Sequence, residues 1–265
     1  MRHRLTLIAI LTTASVLHAY AESPAGPYSK KLRTLIREAE SSVGIPIKVE
    51  FFSPDSAEAA YHNGLTTYSE SEVNIRAVAG VSREFDELVL AHEYYHVILH
   101  AKGFTMDYKR QIISDPKWTA AFTNIISNVT SCFTDKIVDR QLQKRGFNTA
   151  LGENRFLETT SKMLRSEASS PNAGLKTIPI LQKTLGMNFF CYTGSHRAPQ
   201  FVQSLEASKL VSPAVAETEA ALETGLRGVR YDTPRAYFNA TKRLRDLLGF
   251  RELVILRRPG TREFQ

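Results

Sequence analysis

Apolar residues recur at intervals of three and four along most of this chain, and at intervals of two over two short stretches near its start. Positions 28–42 carry Leu32, Leu35 and Ile36 at helical spacing among mixed charges, which predicts an amphipathic helix stopped by Gly44. Positions 45–52 alternate and are rich in Ile, Val and Phe, the pattern of a half-buried strand. Residues 53–72 are polar, with Pro54, Asn63 and Gly64 marking turns, and 73–79 form a second strand candidate ended by Gly80. From 82 to 102, Phe85, Leu88, His92, Tyr95 and Leu99 fall on one helix face, with Ser82 as N-cap and Gly103 as stop. Residues 104–117 read as loop and turn, and a long helix follows over 118–145, ended by Gly146. Further helices are expected over 154–169, 175–185, 199–207, 212–227 and 233–248, with Pro171, Pro179, Pro199, Pro213 and Pro234 between them or at their starts. This is an α+β pattern, mostly helical: a small N-terminal sheet, two long helices, then a helical C-terminal half.

Composition adds a compartment. Met1-Arg2-His3-Arg4 leads into an apolar run over 5–17, and Ala19-Tyr20-Ala21 supplies small residues where a signal peptidase reads. The run is shorter than the ~20 residues a membrane span needs, so 1–21 is expected to be a signal peptide. Residues 22–265 would then form a single exported domain, periplasmic or secreted, with no stable membrane insertion. Its strand-containing part covers about 28–103 and its helical part about 118–250. Losing Arg2 and Arg4 lowers the formal net charge from +7 by two, to +5. The basic residues of 242–258 are interleaved with Leu and Asp and read as solvated faces of terminal elements, so no nucleic-acid partner is expected. The two cysteines, Cys132 and Cys191, suit a disulfide in an oxidising compartment. Asn128-Val129-Thr130 and Asn239-Ala240-Thr241 match the glycosylation pattern but fall in predicted helices.

The chemistry concentrates at His92-Glu93-Tyr94-Tyr95-His96. Histidines four apart on a helix point the same way, one turn apart, and can take two corners of a tetrahedral zinc site. Glu93 lands beside the open position, where a carboxylate can take a proton from water and hand it to a leaving amine. Apolar residues on both sides (Leu88 to Ala91, Val97 to Leu99) make this a buried helix. Two histidines and a glutamate there cost free energy unless something satisfies them, and a metal ion does.

The segment resembles the signature of the zincin metallopeptidases, which implies a zinc ion, two histidine ligands, a glutamate base and a third ligand from downstream. The metzincin branch places glycine and a third histidine where this chain has Leu99 and Lys102, and is excluded. His100, one further turn on, is expected to be a capping or surface residue. The gluzincin branch takes a glutamate from a later helix, with an acid four residues beyond it. Here Asp135-Lys136-Ile137-Val138-Asp139 has that spacing with aspartate in the ligand place, on a helix face shared with Asn128, Ser131 and Cys132. The resemblance therefore implies Asp135 as third ligand and Asp139 as acceptor for a histidine N–H. Aspartate is shorter than glutamate, so the second helix must approach closely. The aspzincin branch uses an aspartate but is marked by a glycine-threonine-x-aspartate motif that this chain lacks. Zincins also draw a Tyr, His or Arg from outside the motif to stabilise the oxyanion. Tyr192, His196 and Tyr231 are the candidates, with His196 preferred as a catalytic residue.

The expectation is an exported zinc metallopeptidase acting on peptides or proteins. The alternative is an inactive, zinc-stabilised envelope or secreted binding protein, which has no use for Glu93.

Overall fold

The computed structural model describes residues 28–56, 63–108, 116–169, 174–192 and 199–257. The expected signal peptide, Pro171 and His196 lie outside the described residues. Helix α1 (Lys30–Val43) begins where the Ser29 side chain accepts a hydrogen bond from the Leu32 backbone, a cap worth about 1 kcal/mol. Its periodic residues Leu32, Leu35 and Ala39 are fully buried. Three strands follow: β1 (Ile47–Phe52), β2 (Gly64–Tyr68) and β3 (Val73–Val78). β3 lies in the middle, parallel to β1 and antiparallel to β2. Val73, Ile75 and Ala77 alternate into the core as a strand of period two requires.

Helix α2 (Arg83–Ala101) carries the histidine motif. The Ser82 hydroxyl accepts from the Phe85 backbone at 3.2 Å, and the Asp86 carboxylate accepts from the backbone of Gly80 and Val81. Ser82 satisfies an amide of the first turn, and Asp86 ties the preceding loop to the helix and places negative charge at its positive end. The sequence predicts one apolar face here, but the helix is buried over most of its circumference, and only the face carrying His92, His96 and His100 stays partly open. Val89, Leu90, Ala91, Tyr94, Val97 and Ile98 are as inaccessible as the predicted stripe, because α1, the sheet and α3 all contribute to one cluster around it.

Helix α3 (Pro116–Lys144) is the spine shared by two cores. Its C-terminal residues Val138 and Leu142 pack with α1, α2 and the sheet. Ile125, Ile126, Val129 and Phe133 pack instead with later helices, namely α6 (Pro179–Tyr192), α8 (Pro213–Gly225) and α9 (Pro234–Leu248). A third cluster joins α6 and α8 to α4 (Ala150–Ser169) and α7 (Pro199–Val211), and α5 (Gly174–Thr177) is a single turn before α6. Pro116, Pro179, Pro199, Pro213 and Pro234 each open a helix, where proline's missing N–H costs nothing and its fixed φ suits the first turn. The mostly helical α+β reading therefore holds at the level of element types and order. Beyond helix ends that move by up to four residues, as at Ala150 and Val211, the sequence expectation is changed as follows. β2 occupies part of the polar stretch 53–72. The 175–185 helix is divided at Ile178, and its second part continues to Tyr192. A two-residue pair, β4 (Asp107–Tyr108) with β5 (Leu256–Arg257), closes the C-terminal end against the start of the helical half.

Cys132 of α3 and Cys191 of α6 form a disulfide with a sequence separation of 59. Closing a loop of that length removes chain entropy from the unfolded state equivalent to about 4 kcal/mol in the loop-closure treatment. No helix among the described residues is long and apolar enough to cross a membrane.

At Gly186 a side chain has no room. A Cβ there would lie 2.7 Å from the Thr218 Cβ and collide with the Val215 carbonyl, so glycine sets how closely α6 and α8 approach. Gly186→Ala is expected to destabilise the protein by about 1–3 kcal/mol, the usual cost of overpacking. Urea denaturation would read this as a lower midpoint with an unchanged slope.

Candidate metal centre

α2 and α3 bring three ligand atoms to one point. His96 Nε2 lies 3.0 Å from His92 Nε2 and 3.0 Å from Asp135 Oδ1, and His92 Nε2 lies 3.5 Å from the same oxygen. A tetrahedral ion with metal–ligand bonds of roughly 2.0–2.1 Å requires ligand–ligand separations of about 3.3–3.4 Å. The triangle has that size, and His92, His96 and Asp135 form a group positioned to bind a metal ion.

The surroundings fix which atoms face inward. His92 Nδ1 is 3.4 Å from Asp139 Oδ1, so when the ring is neutral its proton is held on Nδ1 and Nε2 is offered toward Asp135. Asp135 is 4 % exposed; its Oδ2 accepts a hydrogen bond from Ser131 Oγ at 2.9 Å, which leaves Oδ1 for the histidines. Asn128, two turns before Asp135 on the same stripe, donates to Asn188 of α6. Lys136 Nζ donates to the Phe190 carbonyl and Arg140 to the Tyr231 hydroxyl, so the cations that follow Asp135 and Asp139 both reach toward other elements. Burial opposes charge on His92, but Asp135 and Asp139 outweigh it and raise its pKa well above the ordinary histidine value. Burial likewise opposes charge on Asp135, and the two imidazoles override it, holding the carboxyl far below the usual range. Two lone-pair nitrogens and a carboxylate oxygen that converge in this way demand a cation, either protons or a metal.

Glu93 is 6 % exposed, and its Oε2 accepts a hydrogen bond of 2.7 Å from Thr66 Oγ1 of β2. Tyr192, the last residue of α6, is held by its neighbour Cys191 to α3 and packs on Phe156 of α4. Its phenol pKa is raised by burial first and by Asp135 next; Asp139 and Glu93 act in the same direction, and a hydrogen bond with Ser131 opposes them. The protonated hydroxyl therefore sits among the carboxylates of the site. Tyr231 accepts a hydrogen bond from Arg140 at 2.7 Å and packs at a tilt against Phe133. His100 is outside the ligand group: its ring lies flat on Tyr68, with centroids 3.8 Å apart, and burial lowers its pKa. Of the two glycosylation patterns, the second places Thr241 in the core.

Thr66 and its strand are absent from the sequence reading. The signal available was Leu65-Thr66-Thr67-Tyr68, a run of good strand formers directly after the Asn63-Gly64 turn. Comparison with known proteins finds no matching family model, curated protein or solved structure.

Two expectations test the centre. Asp135→Ala should abolish stoichiometric binding in a zinc titration, whereas Asp139→Ala should weaken it by roughly 10–100-fold; full binding by Asp135→Ala would move the third ligand elsewhere. The raised pKa of His92 also sets a sign with pH. In the metal-free protein the stability gained by the protonated ring is fully present below its unfolded pKa of about 6.5 and is lost as pH rises through the folded value. A metal ion must displace that proton. Zinc affinity should therefore fall about tenfold per pH unit below the folded pKa, as followed by competition with a chromophoric chelator.

Proposed function

We propose that this chain is an exported zinc metallopeptidase of the zincin type, with zinc held by His92, His96 and Asp135. The observation that carries the reading is the convergence of this ligand triangle from two helices, with a buried Glu93 directly after its first histidine. Two histidines and a carboxylate also suit iron(II). A buried glutamate next to the first histidine favours zinc, because hydrolysis needs a base there and oxygen activation does not. The same argument weighs against a purely structural site, which normally fills its fourth position with a protein ligand. The basic-apolar-small pattern of residues 1–21 supports export.

Zinc bound there would supply Lewis acidity, polarising the scissile carbonyl and making water acidic at neutral pH. Glu93 takes the proton of the attacking water and returns it to the leaving amine. Asp139 keeps the His92 proton on Nδ1, so that Nε2 remains a donor to the ion. Tyr192 supplies a protonated hydroxyl for the charge that develops on the carbonyl oxygen. β2 supports a peptide substrate: among the described residues it is an edge strand, its backbone lies beside Glu93, and an extended peptide can pair with such an edge.

Glu93→Gln is the direct test. The variant should retain one zinc per chain by elemental analysis and lose at least ~10²-fold in turnover of fluorescein-labelled casein. Activity surviving the change would sink the mechanism. A wild-type protein that binds zinc and cleaves neither casein nor a peptide library would favour the binding-protein alternative.

A further inference from the structure

Successive inward residues of β2 all meet helix α2. Gly64, Thr66 and Tyr68 are spaced by two and so point to the same face of the strand. Gly64 abuts the Glu93 side chain: a Cβ added there would lie 2.8 Å from both Cγ and Cδ of Glu93 and would collide with Oε1. Thr66 donates its hydroxyl to Glu93 Oε2 at 2.7 Å and lies 3.5 Å from the Glu93 carbonyl oxygen. Tyr68 stacks on His100 with ring planes 9° apart, two helical turns further along α2. The opposite edge of the strand is fixed by antiparallel pairing, with Thr66 opposite Ile75 and Gly64 opposite Ala77. The strand cannot slide by one residue without turning Leu65 and Thr67 toward the carboxylate.

From this juxtaposition we infer that β2 is a positioning strand for the catalytic carboxylate. Thr66 fixes the rotation of the Glu93 carboxyl group through Oε2, and Gly64 provides the space into which Oε1 and the Cγ–Cδ bond fit. The inference rests on the assignment of Glu93 as general base. A glutamate has three rotatable side-chain bonds, and in a site beside a metal ion its carboxylate could swing to the ion as a ligand. Anchoring one oxygen to a hydroxyl and bracketing the other against backbone keeps the group beside the ion and out of its coordination shell. Threonine suits this role because its β-branch limits χ1, which holds the hydroxyl in one direction. Residues 64 and 66 thus act through Glu93 and are positioning residues.

Two measurements test this together. Thr66→Val keeps the shape and removes the donor. It should lower kcat on labelled casein about tenfold, with KM and zinc stoichiometry unchanged, and Thr66→Ser should restore most of the loss. Gly64→Ala should displace the carboxylate and lower kcat by roughly 100-fold, the scale of a misplaced catalytic group. Unchanged kcat in Thr66→Val, or no recovery in Thr66→Ser, would overturn the inference. The second measurement does not depend on activity. In urea denaturation of the metal-free protein, Thr66→Val should shift the midpoint clearly more in the wild-type background than in the Glu93→Ala background, where the carboxylate partner is gone and only the long contact to the residue-93 carbonyl remains. Equal shifts in both backgrounds would show that Thr66 does not act through Glu93. A midpoint coupling in a protein that never cleaves casein would instead retain the contact and refute the peptidase reading.

Discussion

Three acceptor atoms turned toward one another, two imidazole nitrogens and a carboxylate oxygen, are the constraint on which the rest of the structure depends. The carboxylate is buried and the two imidazoles are partly so, and three acceptors this close repel one another unless a cation stands between them. A buried carboxylate without a cation costs several kcal/mol, and an imidazole lone pair without a donor adds to that. Helix α2 cannot relieve the conflict by rotating, since that would bring its buried faces, with Leu90, Ala91, Tyr94, Val97 and Ile98, out of the core. The histidines therefore stay where they are, and the site must be completed by positive charge. Protons do this in the metal-free chain, which is why burial fails to keep His92 neutral. A metal ion does it better, because it can meet all three atoms at once.

The architecture follows from holding α2 and α3 at the separation this requires. α3 belongs to two cores, so neither half of the molecule can shift without moving Asp135. At its C-terminal end Arg145 makes a two-pronged ion pair with Glu38 of α1 and lies over the Tyr95 ring of α2. Near its middle the disulfide joins it to α6, one residue before Tyr192 and one turn before Asp135. The same bond that lowers the entropy of the unfolded chain thus sets the distance between a ligand and a phenol. An aspartate ligand, shorter than glutamate, is workable only in a frame this tightly drawn.

The motif helix, the long helix and the proline-opened helices were legible because their signals are local. Apolar spacing, a serine cap and a proline at the first turn act within a few residues and need no knowledge of the fold. The spacing from Asp135 to Asp139 was legible for the same reason, although the match to His92 and His96 depended on two helices meeting. The division of the chain between three hydrophobic clusters was not legible, because α3 and α6 contribute to more than one and their apolar residues lie on several faces. Residues 186–192 escaped the predicted helix for a related reason. Gly-Met-Asn-Phe-Phe-Cys-Tyr is poor in strong helix formers, and it is helical because its close packing and its disulfide hold it so.

β2 went unread for a different cause, which bears on how the site works. A strand is recognised by an apolar face, and that face exists only where the strand rests on apolar neighbours. The inward residues of β2 are Gly64, Thr66 and Tyr68, and what they rest on is a carboxylate and a histidine ring. Glycine is there because any side chain would strike Glu93. Threonine is there because a buried carboxylate needs a donor, and a hydroxyl gives one without neutralising the charge. An all-apolar strand in this position would read plainly in the sequence and would leave Glu93 buried with no partner, a loss of about 1–3 kcal/mol. The same two requirements, space and a neutral donor, make the pattern hard to recognise and hold the Glu93 carboxylate at a fixed angle against the strand.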